Sequence, residues 1–317
     1  MRALRAASFI LMTTAASVAL ASVNQAGAAE SGRGVYLLGF NTTMAGFQPP
    51  PGVYFSDYTY LYHGTAGGSL SLPDGGRVVT GIEAWSALNM PIGMWVLPQE
   101  VLGGHFAVAA VAPFGYSDVS ANAEITPLGV KLGVGDHSFT FGDPLLVASL
   151  GWAKDAFFWK VYSMLNIPIG DYKKGRLSNI AFHHWAGDIG VAGTWLEPTT
   201  GIEVSSTVGF TFNAENPATN YKTGTEFHAE AALLKHMGKS FAFGLTAYHY
   251  QQLTGDSGSG AVLGGFEGRT TGVGAIVSTG TLIGQTPVGI NAYVMQEYGV
   301  KNRLTATVGF LTVSLPL

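Results

Sequence analysis

The stretch Gly201-Ile202-Glu203-Val204-Ser205-Ser206-Thr207-Val208-Gly209-Phe210-Thr211-Phe212-Asn213 decides the fold. Its even positions are mostly large and apolar, and its odd positions are small or polar. A period of two with unlike faces marks a β-strand whose two sides meet different surroundings. The pattern recurs. Phe157, Trp159, Val161 and Leu165 alternate with Lys160, Tyr162, Met164 and Asn166, and Phe227, Ala229, Ala231 and Leu233 alternate with Glu226, His228 and Glu230. Val288, Ile290, Ala292 and Val294 alternate with Asn291, Tyr293 and Met295, and Leu304, Ala306, Val308 and Phe310 share one side of the last strand. Charges fall on the polar face each time, as they must if the other face meets lipid, where an arginine or lysine at mid-depth costs about 2–4 kcal/mol.

Composition agrees. The chain has 317 residues, of which 47% are hydrophobic and only 11% charged, with 44 glycines, 14 prolines and no cysteine. Soluble domains carry about one-quarter charged residues, and a soluble β-sandwich would show lysine and glutamate outside. Downstream of Ala29 no uncharged apolar run reaches the ~18 residues a spanning helix needs. A hydrophobic, charge-poor chain without spanning helices points to a closed transmembrane β-barrel. The 20 acidic residues outnumber the 16 basic ones and no basic patch occurs, which disfavours a nucleic-acid partner. The missing cysteines exclude disulfides, thiol catalysis and lipid attachment through a cysteine.

Arg2 and Arg5, the apolar run Ala6 to Ala21, and the small residues Ala26-Gly27-Ala28-Ala29 form a secretory signal. Cleavage is expected after Ala28, so residues 1–28 are the signal peptide and Sec export to the bacterial outer membrane follows. Glycines and Pro49-Pro50-Pro51-Gly52 set apart the segment 29–76. Its part from Ser31 to Gly52 reads either as a periplasmic lead-in or as a plug in the barrel mouth. Its apolar residues, Val35, Tyr36, Leu37, Leu38, Phe40, Met44 and Phe47, argue against free disorder. Residues 77–317 are expected to form an all-β, antiparallel up-and-down barrel. Short turns at Ala153-Lys154-Asp155, Glu197 to Thr200 and Met237-Gly238-Lys239 alternate with longer loops at 170–186, 214–222 and 251–268. The count is twelve strands from near Arg77. Val53 to His63 either lies inside the lumen or belongs to a fourteen-strand barrel.

Candidate site residues follow from the face assignments. Tyr54, Tyr58, Tyr60 and Tyr62 share one face, beside Phe55; they form either an interfacial girdle or an aromatic conduit for an apolar ring. Met44, Phe47 and Trp85 are expected to join such a conduit. Glu83, Glu203, Glu226, Glu230 and Glu297, with Lys160, Arg269 and Arg303, are expected to face the lumen as an ion network holding the barrel. Glu226, His228 and Glu230 share one face but would need ligands from neighbouring strands to hold a metal, so no metal or cofactor is expected. His183-His184 with Asp188 and Ser178 invites a hydrolase reading, but nothing in the spacing fixes a nucleophile beside a base. No catalytic residue is assigned.

Several longer runs carry a resemblance. They are Asn41-Thr42-Thr43-Met44-Ala45-Gly46-Phe47 with Pro49-Pro50-Pro51-Gly52-Val53-Tyr54-Phe55, Asn166-Ile167-Pro168-Ile169-Gly170-Asp171-Tyr172, Asn213 to His228, and Tyr250 to Gly258. Together the chain resembles the SphA-like outer-membrane family described by the MetA pathway of phenol degradation. The resemblance implies a barrel similar to the fatty-acid and aromatic-hydrocarbon channels, and passive uptake of small hydrophobic or aromatic compounds. Outer-membrane lipid, lipopolysaccharide and the barrel-assembly machinery are the expected partners. A general porin is the rival reading, although its lumen needs about sixteen strands. A structural or surface-interaction barrel is the other.

Overall fold

A computed structural model of the protein describes residues 32–71, 77–126, 130–238, 240–262 and 264–317. The signal-peptide reading of residues 1–28 lies outside the described residues. Fourteen strands follow in order: β1 (Gly52–Ser71), β2 (Arg77–Val101), β3 (Gly104–Val111), β4 (Phe114–Thr126), β5 (Val130–Phe141), β6 (Leu145–Lys154) and β7 (Phe157–Asn166). Then come β8 (Ala186–Leu196), β9 (Ile202–Asn213), β10 (Glu226–Met237), β11 (Phe241–Gln252), β12 (Arg269–Ile283), β13 (Thr286–Lys301) and β14 (Thr305–Pro316).

Twelve strands close the wall, all antiparallel. β1 pairs with β14 from Tyr54↔Pro316 to Thr65↔Thr305, and with β2 on its other edge. The ring then runs from β14 back to β6, through β3 to β2. Closure leaves no strand edge in lipid, where an unpaired backbone group costs several kcal/mol. The two remaining strands, β4 and β5, extend the wall upward. β2 pairs with β3 through Ile92–Val101 and with β4 through Arg77–Asn89, so β3 and β4 are successive parts of one rising path. β5 and β6 form the matching descending path.

Both paths break at the same level, at Ala112-Pro113 and at Gly142-Asp143-Pro144. Proline has no N–H for the ladder, so each path is split into two elements. Val53 to His63 sits within β1 and is part of the wall, not a segment inside the lumen. The wall thus begins at Gly52, before the Arg77 expected from the strand count. Loops at 167–185, 214–225 and 253–268 lie at one end of the barrel, and brief turns such as 155–156 and 284–285 lie at the other. By the usual asymmetry the first end faces outward and the second the periplasm.

The alternation read in Gly201–Asn213 is seen residue by residue: along β9, exposed and buried positions alternate without a break. Phe157, Trp159, Val161, Leu233, Leu245 and Val294 all point to the lipid side. In β14 the expected orientation is reversed: Ala306, Val308 and Phe310 are buried on the inward face, where Phe310 packs on Tyr60 and Tyr293. The inward faces carry Glu203, Thr207, Asp188, Glu226, His228 and Glu230, all buried.

The high glycine content has a packing reason on the inward face. A Cβ on Gly272 would lie 2.3 Å from the Tyr248 ring, and one on Gly190 would lie 2.5 Å from the Tyr162 hydroxyl. A Cβ on Gly64 would meet Tyr62, and one on Gly209 would meet His228. Rings therefore lie flat across glycines, which lets Tyr248 reach over β12 and donate to Glu297 on β13 at 2.9 Å. Replacing Gly272 by alanine should lift this ring and cost about 1–3 kcal/mol, the usual penalty for overpacking. The expected readout is a lower temperature for the loss of the fast-migrating, unboiled gel form. An unchanged transition would mean that the ring does not depend on the glycine.

Candidate functional site

Residues 32–51 run along the inside of the barrel. The segment starts near the outer loops, where the Arg33 guanidinium lies 5.4 Å from the Phe182 ring. At mid-depth Tyr36 stacks on His228 with ring centroids 3.5 Å apart. At the periplasmic end Phe47 meets Phe158 edge-on at 5.5 Å, and Ser149 donates to Gln48. The chain then turns back through Pro49-Pro50-Pro51 into β1.

Carboxylates hold this path. Glu230 accepts from the backbone N–H of Gly39 (2.7 Å) and of Asn41 (2.8 Å). Glu203 accepts from the Met44 N–H (2.7 Å) and the hydroxyls of Thr43 and Ser205, while His236 sits 2.7 Å from its second oxygen. The Gly46 N–H reaches Thr194 at 3.0 Å. Two glycines permit the close approach. Gly39 has φ +89 and lies where a Cβ would be 2.4 Å from Met295, and a Cβ on Gly46 would be 2.3 Å from the Phe158 carbonyl.

Above the segment lies a cavity of about 590 Å³. Val35 to Leu38 form its floor, Tyr60, Tyr62, Leu88 and Met90 its wall, and Phe182, Tyr221 and Phe266 from the outer loops its roof. Its carboxylates are occupied. Asp143 accepts from Gly170 N–H, Phe182 N–H, His183 N–H and the Asn166 amide, which ties the loop after β7 to the wall. A second, outward crevice of about 470 Å³ lies at the proline breaks, between Pro113, Phe141, Pro144 and Ile169. Pro113 and Gly142 line both spaces, so the wall there is one residue layer thick.

The candidate residues divide by strand parity. Tyr58 and Tyr60 take inward positions; Tyr58 stacks on Phe40 at 4.4 Å, and Tyr60 contacts Phe310 at 5.0 Å. Phe55 and Trp85 fall on the odd, outward positions of β1 and β2, with Trp85 43% exposed. Met44 and Phe47 lie in the lower lumen, away from the cavity. Of the charged set, Glu203, Glu226, Glu230 and Glu297 are buried inside, and Lys160 shares their inward face. Glu83 is exposed against His63 at 2.9 Å, and Arg269 is exposed at the outer end of β12. Glu203, Glu226, Glu230 and Glu297 bond to backbone N–H groups, hydroxyls, amides and a histidine. Glu226, for instance, accepts from Tyr250 (2.6 Å) and Asn213 (3.0 Å).

The pair Asp188–His228, 3.0 Å apart and fully buried, is not legible as a unit in the sequence. The shared parity of positions 188 and 228 on polar faces was the available signal. Ser178 bonds Asp136 and Ser138, and His184 faces Asn213, so the hydrolase constellation is not assembled among the described residues.

These features define an outer-membrane channel-type β-barrel whose inner space is divided by its own N-terminal segment. The chain belongs to the family described as "Putative MetA-pathway of phenol degradation", whose model matches residues 67–312. Its fold is that of an outer membrane channel from Pseudomonas putida F1: the two align over 89% of this chain and all of that one, with a TM-score of 0.68 at 12% identity. The transport unit of the autotransporter AIDA-I from Escherichia coli aligns over 89% of this chain and 93% of its own, with a TM-score of 0.45 and 10% identity. A Pseudomonas aeruginosa FadL homologue covers 83% of this chain and 88% of its own, at 0.42 and 7%. The last two scores are too low to bear on fold or function. A sequence search of curated proteins found no match.

If Glu230 holds the segment, Glu230→Ala should leave two inner N–H groups without acceptors. Such orphaned donors cost about 1–3 kcal/mol each. Amide exchange at Gly39 and Asn41 should accelerate by at least tenfold while exchange in β9 and β10 stays slow. Equal protection in the variant would show that the segment is held by packing alone.

Proposed function

We propose that this protein is a passive channel that admits small hydrophobic or aromatic molecules through the outer membrane. The observation that carries this reading is the apolar, ring-lined cavity beneath the outer loops. A cavity of about 150 Å³ already holds one benzene ring, so about 590 Å³ suits a substituted ring or a short aliphatic chain with room to move. Lipopolysaccharide resists apolar solutes and open porins favour polar ones, so such solutes need a protein-lined passage. The filled lumen disfavours the general-porin alternative, because residues 32–51 occupy the path that water and ions would use.

A solute in the cavity has two ways onward. The downward route passes the stapled segment and needs several hydrogen bonds to open. The sideways route crosses the single layer at Pro113 and Gly142 into the outer crevice, where neither proline supplies an N–H and the two paths are joined by the bond from the Gly142 N–H to the Pro113 carbonyl at 2.8 Å. The sideways route therefore requires less local rearrangement.

Two measurements test this reading. Deleting the gene should slow uptake of a sparingly soluble aromatic at limiting concentration and leave polar carbon sources unaffected; unchanged entry of a whole panel of phenols and aromatic acids would refute it. Removing residues 32–51 should leave a heat-modifiable barrel with raised ion conductance in planar bilayers. Conductance equal to that of the intact protein would mean that the segment does not obstruct the lumen.

A further inference from the structure

The upper cavity is largely apolar, and three buried polar atoms of its described lining lack a hydrogen-bond partner: the Tyr36 hydroxyl, Asn166 Oδ1 and Arg303 Nη1, of which only the last is a charged donor. Arg303 sits in the turn 302–304 between β13 and β14 and folds inward, its guanidinium 4.4 Å from the Tyr250 ring centroid. Its Nη1 is buried and has no hydrogen-bond partner. A buried unpaired donor costs roughly as much as a lost hydrogen bond, and more when charged, so its persistence beside a cavity calls for an acceptor from outside the chain.

The neighbouring carboxylates do not serve as that acceptor. Glu297 accepts from the Tyr248 hydroxyl and the Ala306 N–H, both at 2.9 Å. Glu226 is taken by Tyr250 and Asn213. Asp143 is surrounded by four donors, and Arg176 already pairs with Asp171 at 3.2 Å. A solute therefore meets carboxylates whose oxygens are engaged by the protein's own donors, and a guanidinium whose Nη1 is not.

We infer that Arg303 is a recognition residue for the carboxylate of an aromatic acid, whose ring would lie against Tyr60 and Tyr62 on the cavity wall. The inference rests on the uptake reading above and narrows its substrate class. A guanidinium offers planar, forked donors that match a carboxylate. A phenol does not fit as well: its hydroxyl ionises near pH 10, like tyrosine's, so it is neutral at pH 7, whereas a carboxylic acid is ionised above about pH 4. Tyr250 beneath the guanidinium fixes its plane and leaves Nη1 without a partner.

The test compares the binding of benzoate with that of benzyl alcohol, which has the same ring and no charge, to the purified detergent-solubilised protein by titration calorimetry. Intact protein should bind benzoate at least tenfold more tightly than benzyl alcohol. Arg303→Gln should erase that preference and leave benzyl alcohol binding unchanged; Arg303→Lys should restore part of it, since the charge returns without the fork. Heat-modifiability of each variant confirms that the barrel is intact. Equal binding of the two probes to the intact protein, or a preference surviving in Arg303→Gln, overturns the inference. Failure of both probes to bind or enter would instead count against the uptake reading itself.

Discussion

An irregular backbone segment inside a membrane barrel is tolerable only if each of its N–H groups finds an acceptor away from bulk water. Here the acceptors are carboxylates of the inward face, above all Glu230 and Glu203, on adjacent strands β10 and β9. The same contacts answer a second difficulty, because a buried carboxylate without donors would be far more costly than a buried amide. Two groups that are each unfavourable alone satisfy one another, with no lysine or arginine required. The arrangement sets the height of the segment in the lumen, and hence the floor of the cavity above it.

The wall depends on a complementary exception. A closed ladder resists distortion everywhere that neighbouring strands exchange hydrogen bonds, so a break must be built into the chain. Pro113 and Pro144 supply it on adjacent paths, and the loop beginning at Ile167-Pro168 faces them. Asp143 then holds the loop after β7 against the break through three backbone N–H groups, which keeps the thin wall ordered without restoring the ladder. Rigid floor, thin wall and ring-lined chamber are thus separate consequences of a few polar and proline positions.

Much of this was legible in the sequence wherever periodicity carried it. The strand Gly201–Asn213 and the faces of β7, β10 and β13 follow from alternation alone, as does the inward placement of Glu203, Glu226 and Glu230. The exceptions are equally physical. Phe55 and Trp85 have the chemistry of ring-binding residues, but parity sends them outward. Glu83 shares that outward parity, and Arg269 lies beyond the part of β12 where parity governs burial. The partners of the carboxylates could not be read in advance, since a backbone N–H leaves no trace in composition. The cavity was also hidden, because it arises where a loop, a segment and a wall break meet, and none of them repeats.

The sequence separations of these contacts also bear on how the site forms. Gly39 and Glu230 are 191 residues apart, and Met44 and Glu203 are 159 apart, while β1 must pair with β14 to close the ring. Contacts this distant cost loop-closure entropy before they contribute anything. Hairpins such as β10–β11 can form locally, but the acceptors for the segment come together only after β9 and β10 are paired. The segment leaves the wall at the seam strand β1, so its seating is geometrically tied to closure at β1–β14. An incompletely closed barrel would therefore lack both the floor of the cavity and the Arg303 turn that joins β13 to β14. The chamber is a property of the finished cylinder, and no half of the chain contains it.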